Sequence, residues 1–457
     1  REFELDYHLR HLALPHPGRI RELLAMVSRL HGNLMDRNRP LWEAYVIEGL
    51  PGGRFATYIK IHHALVDGVT GAKMMADGLS ATANEQKPPL WAQSLAALPG
   101  SRARRAAPGM LAQLADAARA GREILPGIGS GLWDMLRTES SNSTSARPFQ
   151  APPTPFNVEI SGSRRFAAQS YSLARLKRIG EATGATVNDV TLAICSGALR
   201  KYLEAHGKLP KNPLIAMVPV SLHGETDAGG NQVTLLLANL ATHLGEPLAR
   251  LQAIVQSTTE AKVRLSRMPR LQKMAHGMTT IAPLGPAMVT GSARKHPVFN
   301  LVISNVPGPR HTLYLNAARL DEVYPVSIPT HYLALNITIQ TYAGQVDFGI
   351  IAGKQALPDA QQLASAIEEA FKQAQVLMGA PAAPAAAATP VKTPGQAVTQ
   401  ETALGKSPSA KRATRPKISE VRNTTKTSNA SNHGTIRTPA VSKKTKSTTR
   451  TARRTSA

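Results

Sequence analysis

The sequence predicts an α/β protein followed by a disordered C-terminal tail, and three features of its 457 residues support this prediction. Strand-like apolar runs alternate with segments in which apolar residues recur every three or four positions, the spacing of helices. Apolar residues make up 42% of the chain and charged residues 18%, a balance typical of a globular protein with a large core. After Met378 the composition changes to Ala and Pro, then to Thr, Ser, Lys and Arg. Such a segment has too few large apolar side chains to offset the entropy of ordering.

The first regular segments precede residue 80. Apolar side chains at helical spacing from Ile20 to Leu30 predict an amphipathic helix. Two apolar runs flank the turn signal Pro51-Gly52-Gly53, and this arrangement predicts a hairpin that places Trp42 beside the second strand. The predicted elements are a helix over residues 20–30, strands over 41–47 and 55–61, and a helix or loop over 71–79.

Residues 81–145 are a candidate interdomain region, because the apolar pattern loosens there and Pro, Ala and Arg accumulate. One helix is predicted within it, over about 110–124. The glycine-rich stretch Gly127–Gly131 follows no clear strand, which argues against a phosphate-binding loop. We therefore expect three parts: an N-terminal domain with its linker over 1–145, a C-terminal domain over 146–378 and the tail over 379–457.

Regular patterning resumes at Arg164 and predicts the second domain. Thr186 and Asp189 have the spacing of a capping box, in which two side chains satisfy amides at the start of a helix. A hairpin is predicted around Ala343-Gly344. The predicted elements are strands ending near 172 and over 214–220, 233–243, 299–305, 333–341 and 346–351, and helices starting at 173 and over 190–205, 248–263 and 363–374.

The formal net charge is +24, and the tail holds thirteen of these charges because 15 Lys and Arg there oppose two Glu. The rest of the chain is basic too, which suits an anionic partner such as a phosphate group, an acidic membrane or nucleic acid. The tail has no aromatic side chains for stacking on bases, so nucleic acid is the less favoured partner. Basic and apolar residues alternate over 262–274, with Pro269 between them. This pattern predicts either a segment that contacts a membrane surface or a solvated helix face.

Cys195 is the single cysteine, which excludes a disulfide within the chain and favours a reducing compartment. No apolar run approaches the ~20 residues that span a bilayer, so any membrane contact is expected from the surface. The chain begins at Arg1 without a signal peptide, and we expect the natural start to lie upstream. The first domain is then expected to be incomplete. The protein is expected to be cytoplasmic.

The stretch His62-His63-Ala64-Leu65-Val66-Asp67-Gly68 follows the predicted strand over 55–61. If that strand runs straight, residue alternation places His63 on its apolar face and His62 on its polar face. Adjacent strand residues do not reach one point and no third ligand is close in sequence, so no metal site is predicted. A histidine, with a pKa of about 6.5, is a natural general base, and a purely structural histidine pair is the alternative. Asp67 is expected to hold the loop, and Gly68 to permit a tight turn.

Direct acyl transfer is the chemistry that this motif favours. A base can deprotonate a hydroxyl or thiol that attacks an acyl donor, and no enzyme nucleophile is needed when the two substrates are aligned. The sequence has no G-x-S-x-G nucleophile elbow. Cys195 lies within the apolar run 192–199 and is predicted to be a small core residue.

Several motifs in this order resemble the bacterial wax ester synthase/diacylglycerol acyltransferase family. Residues 62–68 resemble the HHxxxDG signature of CoA-dependent acyltransferases, which include chloramphenicol acetyltransferase and the condensation domains of peptide synthetases. The other motifs are Pro40-Leu41-Trp42-Glu43, Thr186-Val187-Asn188-Asp189-Val190, Ser304-Asn305-Val306-Pro307-Gly308-Pro309 and Ala334-Leu335-Asn336-Ile337. The similarity extends from Arg1 to about Met378. Asn316 and His223 depart from the usual pattern, which has a glycine near the first and an arginine at the second.

The resemblance implies two chloramphenicol acetyltransferase-like domains with mixed sheets flanked by helices, and an active site in a tunnel between them. It implies transfer of a fatty acyl group from acyl-CoA, a co-substrate, to diacylglycerol or a long-chain alcohol, with no permanently bound cofactor. The basic surface fits an enzyme that is peripheral on the inner membrane or on lipid inclusions. The alternatives are acyl transfer to another hydroxyl, and non-catalytic binding of lipid or nucleic acid by a degenerate acyltransferase fold.

Carried onto this chain, the resemblance makes His63 the general base, His62 a supporting residue and Asp67 a structural residue paired with an arginine. Further segments are expected to bind substrate, shape the tunnel or form the domain junction. They contain Pro40, Leu41, Trp42, Gly68, Asn188, Asp189, Asn305, Pro307 and Gly308. A helix start at Asp189 and a simple turn at Pro307-Gly308 are equally good explanations of those residues.

Overall fold

Two larger sheets, one of three strands and one of six, and a small two-stranded sheet organise the computed structural model, which describes residues 4–66, 68–88, 146, 148–221, 233–268 and 270–377. The strands are β1 (Leu9–Ala13), β2 (Trp42–Leu50), β3 (Arg54–Ile61), β4 (Arg164–Ser172), β5 (Ile215–Ser221), β6 (Val233–Asn239), β7 (Leu301–Val306), β8 (Tyr314–Leu315), β9 (Ala318–Arg319), β10 (Leu335–Tyr342) and β11 (Gln345–Gly353). The helices are α1 (Leu5–His8), α2 (Ile20–Gly32), α3 (Gly68–Asp77), α4 (Leu173–Thr183), α5 (Val187–Ala205), α6 (Pro247–Ser266), α7 (Arg270–Ile281), α8 (Leu284–Val289) and α9 (Ala360–Val376).

The three-stranded sheet confirms the hairpin predicted around residues 51–53. Strand β2 pairs parallel with β1 and antiparallel with β3, and Trp42 lies opposite Ile61. Helix α2 covers this sheet through buried leucines and Val27, which pack with Tyr45, Ile47 and Tyr58. The amphipathic stripe of α2 therefore supplies the apolar layer that the hairpin requires.

The six-stranded sheet is mixed, with the strand order β4-β11-β10-β7-β5-β6. The predicted hairpin around Ala343-Gly344 is present as β10 and β11, which pair antiparallel. Strands β7, β10 and β5 form the parallel centre of the sheet. The main apolar core joins this sheet to α5 and α9, and it contains the buried thiol of Cys195 as the sequence predicts. Sheets flanked by helices agree with the predicted α/β class.

Helix α2 also joins the two sheets. The Ser28 hydroxyl donates a hydrogen bond to the Leu24 carbonyl (2.7 Å) and accepts one from the Phe166 amide of β4 (2.9 Å). Phe166 and Ile351 of the six-stranded sheet pack in the same apolar cluster as the leucines of α2. Both sheets belong to one compact unit of contacts, Arg1–Ala388.

Several predictions fall on residues outside the described part of the chain. These are the helix over 110–124, the glycine-rich stretch over 127–131, the tail over 379–457 and the loop residue Asp67. The domain boundaries proposed at 145 and 378 remain predictions. Among the described residues, no helix is long and apolar enough to cross a membrane.

Candidate active site

The histidine motif begins where β3 ends. Strand β3 stops at Ile61, and residues 62–65 form a turn in which the Leu65 amide donates to the His62 carbonyl (2.9 Å). His63 is exposed and His62 is half-buried, so the predicted assignment of His63 to the apolar side is wrong. The alternation rule fails here because it holds only while the backbone is extended.

The turn also orients the imidazole ring of His62. The Ala64 amide donates a hydrogen bond to Nδ1 of His62 (3.1 Å). Nδ1 then acts as the acceptor, so this hydrogen bond is compatible with the tautomer that carries its proton on Nε2. The described residues contain no group of His, Cys, Asp and Glu that could hold a metal ion. The ring of His62 is therefore suited to donate a hydrogen bond from Nε2.

The Leu41-Trp42 segment lies directly beside this turn, and the predicted position of Trp42 next to the strand that leads into the histidines is confirmed. The His62 amide donates to the Leu41 carbonyl (2.9 Å), which extends the hairpin by one bond beyond the paired Trp42 and Ile61. Below it, the buried ring of His8 stacks on the Trp42 indole. This contact was not predicted, because nothing in the pattern distinguishes His8 from an ordinary surface histidine.

The motif packs against the end of β7 at Gly68. It is the first residue of α3, and a Cβ placed on it would meet Cγ2 of Val306 at 3.7 Å, an ordinary van der Waals distance. Val306 lies between Asn305 and Pro307, two of the predicted substrate-binding residues. After α3, Ser80 forms a β-bridge with Tyr314 that holds the chain against β8. The motif and the 304–309 segment, far apart in sequence, are therefore neighbours.

Gly308 fits a position that excludes a larger residue. Its amide donates to Oγ1 of Thr341 (3.1 Å), and an added Cβ would lie 2.1 Å from the Thr341 carbonyl oxygen. Contacts that short do not occur, so only glycine allows the chain to pass β10 at this point. A turn and a tunnel wall are both compatible with this packing.

Strands β7 and β10 present a polar face on the side of the sheet opposite the helical core. Ile303, Ile337 and Ile339 belong to the core with α5 and α9. Alternation directs their neighbours to the other face, where Ser304 donates to Thr338 (3.0 Å) and Thr338 donates to Asn336 (3.1 Å).

Val306 shares that face with Ser304, because the two residues are two positions apart in β7. The polar residues therefore lie on the side of the sheet that carries α3 and the histidine turn. Thr338 was not predicted as a site residue. The available signal was the alternation of Asn336, Thr338 and Gln340 with isoleucines in a strand that is otherwise apolar.

The Asn188-Asp189 pair lies at the start of α5. The predicted capping box is present: the Thr186 amide donates to Oδ2 of Asp189 (3.1 Å), and the Asp189 amide donates to Oγ1 of Thr186 (3.3 Å). The Thr258 hydroxyl of α6 donates to the other carboxylate oxygen (2.7 Å). These contacts start one helix and attach it to another, and the substrate-binding role stays a prediction.

A buried polar cluster supports the base of the hairpin. The ring of His31 contacts the Tyr58 hydroxyl (2.9 Å) and the Ser327 carbonyl (2.8 Å), so Nε2 donates to Ser327 and Nδ1 accepts from Tyr58. Burial, with the charges of Lys60 and Arg164 nearby, lowers the pKa of His31 to about 4. This histidine is therefore neutral near pH 7, where it joins α2 to the strand that leads into the motif.

Comparisons with known proteins match most of the chain. The family model described as the wax ester synthase/diacylglycerol acyltransferase catalytic domain matches residues 1–191, and that of the C-terminal domain of the same family matches residues 229–375. An O-acyltransferase of Acinetobacter baylyi is 43% identical over 371 residues, covering 80% of each chain. A probable diacylglycerol O-acyltransferase of Mycobacterium tuberculosis is 44% identical over 381 residues, covering 83% of each. A solved wax ester synthase/diacylglycerol acyltransferase from Marinobacter aquaeolei is 40% identical and superimposes with a TM-score of 0.65, covering 83% of this chain and 82% of that one.

Proposed function

This chain belongs to the wax ester synthase/diacylglycerol acyltransferase family, and we propose that it transfers a fatty acyl group from acyl-CoA to diacylglycerol or a long-chain alcohol. The products are triacylglycerol or a wax ester. The relatives named as O-acyltransferases support this activity, and they give no support to the non-catalytic alternative. The structural observation that carries the proposal is the meeting of the histidine turn, the Leu41-Trp42 segment and the end of β7.

His63 is the proposed general base. It is exposed, so an acceptor can reach it, whereas His62 already uses Nδ1 to accept the Ala64 amide. His63 removes the proton of the acceptor hydroxyl while the oxygen attacks the thioester carbonyl of acyl-CoA. The tetrahedral intermediate then expels the CoA thiolate, which takes up the proton from His63. The transfer is direct, so no acyl-enzyme forms and acyl-CoA is the only activated species required.

The polar face of β7 and β10 is the proposed partner of the developing oxyanion. Ser304 donates to Thr338, and Thr338 donates to the side-chain oxygen of Asn336. The side-chain NH2 group of Asn336 is then the proposed donor to the oxyanion. A donor held by a buried network is preorganised and does not have to be reoriented as charge develops. Asp67 and Gly68 have the proposed role of holding the turn at the start of α3.

The proposed location is the cytoplasmic side of the inner membrane or the surface of lipid inclusions. Both acceptors are lipids, and the chain outside the tail carries a net positive charge that suits anionic headgroups. Peripheral contact places the enzyme where its acceptor is concentrated.

CoA release from palmitoyl-CoA, with hexadecanol or dioleoylglycerol as the acceptor, tests the function and the base together. We expect turnover by the native chain and a loss of about a hundredfold or more in His63→Ala, the range for removal of a general base. His11→Ala is the matched control, because His11 is an exposed histidine on β1 that pairs with Glu48. Equal rates in His63→Ala and the native chain refute the base assignment. Absence of turnover with every hydroxyl acceptor refutes the activity.

A further inference from the structure

One long segment of the described second half of the chain carries only positive charge. Residues 261–320 contain nine Lys and Arg and no Asp or Glu, and Glu260 and Asp321 are the acids that flank them. A globular surface usually mixes both signs, so a 60-residue stretch without an acid is a distinct electrostatic feature. Helices α7 and α8 lie within it.

The outer side of α7 and α8 is apolar and open to solvent. Met278 is 70% exposed and Val289 is 89% exposed. Between them in the chain, Ala282, Gly285 and Pro286 are exposed as well. Exposed side chains of this size gain free energy when they leave water, so Met278 and Val289 are the apolar residues that these two helices offer to a partner.

The inner sides of the two helices fix this orientation. A Cβ placed on Gly277 of α7 would lie 3.2 Å from Oγ1 of Thr234, and the Thr234 hydroxyl donates to the Lys273 carbonyl (2.8 Å). On α8, Ala287 is buried against Ala293 and Tyr332. Neither helix can rotate its outer residues inward without losing these contacts.

Exposed cations precede and follow the two helices in the chain. Arg294 and Lys295 are exposed in the turn that follows α8, and Arg267 is exposed at the end of α6 just before α7. The adjacent carboxylate of Glu159 accepts a hydrogen bond from the Tyr332 hydroxyl (2.7 Å). Among the described residues named here, three exposed cations outnumber this one acid, which agrees with the positive charge of the 261–320 segment.

We propose that the outer side of α7 and α8 docks on an anionic phospholipid bilayer, with Met278 and Val289 below the headgroups and Arg267, Arg294 and Lys295 on the phosphates. This proposal rests on the peripheral contact proposed above and assigns it to named residues. Sparse apolar side chains ringed by cations fit a lipid surface, where the apolar part enters the acyl region and the charges stay at the phosphates. A protein partner would instead call for a packed aromatic centre, and α7 and α8 contain no Phe, Tyr or Trp.

Sedimentation of the full chain with vesicles tests the proposal. The vesicles contain phosphatidylcholine alone or mixed with phosphatidylglycerol. The apolar variant combines Met278→Glu and Val289→Glu, and its control combines Leu34→Glu and Val376→Glu, which are 96% and 76% exposed elsewhere. We expect the apolar variant to lose about tenfold or more in binding to the anionic vesicles, because insertion is removed and the new carboxylates lie where the headgroups would be. The control keeps native binding.

The charge contribution is measured with Arg294→Glu combined with Lys295→Glu. Each cation near an anionic surface strengthens partitioning by about fivefold, so reversal of two lowers binding by at least about twentyfold. Raised salt lowers binding of the native chain, because screening weakens attraction at the surface. Thermal unfolding of every variant, followed by circular dichroism, verifies that the fold is retained.

Three results would overturn the proposal. The first is native binding by the apolar variant or an equal loss in its control. The second is loss of binding on deletion of residues after Met378 with no effect of the substitutions, which assigns the contact to the tail. The third is that the apolar variant has a lower mass than the native chain in light scattering but binds vesicles equally well. That result assigns the surface to contact with a second copy of the chain.

Turnover separates failure of this proposal from failure of the proposed function. With the acceptor in detergent micelles, we expect the apolar variant to match the native rate, since the histidine turn is untouched. With the acceptor in anionic vesicles, its rate falls with its binding. A chain that binds vesicles through α7 and α8 without any turnover would refute the function and leave the docking surface intact.

Discussion

His8 stacks on Trp42 with 4.6 Å between ring centroids and 24° between ring planes. Its Nδ1 donates to the carbonyl oxygen of the same tryptophan (2.7 Å), and its side chain is 1% exposed. The preceding carbonyl, that of Leu41, accepts the His62 amide. One buried histidine therefore fixes the strand start to which the candidate catalytic turn is attached.

We predict that His8 positions this turn without exchanging protons in the reaction. His8→Ala removes the stacking and the hydrogen bond to the Trp42 carbonyl, at a cost of about 1–3 kcal/mol in the free energy of unfolding. His8→Phe keeps an aromatic ring against the indole and is expected to lose less. Denaturant unfolding measures both variants. The rate of CoA release should fall while its pH profile keeps its shape, and a shifted profile would contradict the positioning role.

The polar face of β7 and β10 gives a second prediction. Thr338→Val keeps the side-chain volume but leaves Ser304 and Asn336 without their shared hydroxyl, which destabilises the fold by about 1–3 kcal/mol. Thr338→Ser retains the hydroxyl and is the matched control. We expect the valine variant to lower kcat more than KM, since oxyanion stabilisation acts in the transition state. A change in KM alone would place this face at a binding step instead.

Replacement of Gly308 should have a strong effect for a steric reason. The Cβ of Gly308→Ala would lie 2.1 Å from the Thr341 carbonyl oxygen, and this backbone oxygen cannot move aside cheaply. We expect a loss of about 1–3 kcal/mol in the free energy of unfolding, as for other overpacked sites. Gly285→Ala is the control, because a Cβ there meets nothing within 4 Å. Equal thermal midpoints of the two variants would refute the close approach.

His31 predicts an acid-dependent loss of stability. Its native pKa of about 4 lies below the usual value of about 6.5, so the native state resists a proton that the unfolded chain accepts. The stabilisation is complete above pH 6.5 and is lost as the pH falls towards 4, at a cost of about 3 kcal/mol. In His31→Gln, the free energy of unfolding should change less with pH between 6.5 and 4. His16→Gln, at an exposed position, is the control and should keep the native dependence of the unfolding free energy on pH. The same pH dependence in the native chain and both variants would contradict the prediction.

Local patterns predicted the parts of the fold that depend on neighbouring residues. The hairpin of β2 and β3, the capping box at Asp189 and the hairpin around Ala343-Gly344 all arise from contacts within a short stretch. The prediction that His63 lies on the apolar face is wrong, because strand alternation does not apply beyond Ile61, where the strand ends. A boundary error of one or two residues is enough to reverse the face of a side chain.

The remaining site geometry depends on long-range packing that periodicity does not encode. The approach of Gly68 to Val306 and the pairing of Ser304 with Thr338 join segments far apart in the chain. Motif order identified both segments by resemblance but said nothing about their distance. Thr338 was not predicted because threonine is common in β-strands, so its presence there does not by itself indicate a functional site.

The hydrogen bond from Phe166 to Ser28 also satisfies an amide at the edge of a sheet. Strand β4 is an outer strand of the six-stranded sheet, and an outer strand with unpaired amides invites pairing with another molecule. The Ser28 hydroxyl occupies the Phe166 amide, and α2 lies along the strand as a cover. The helix that packs on the small sheet therefore also covers part of the open edge of the large one, where a second chain could otherwise pair.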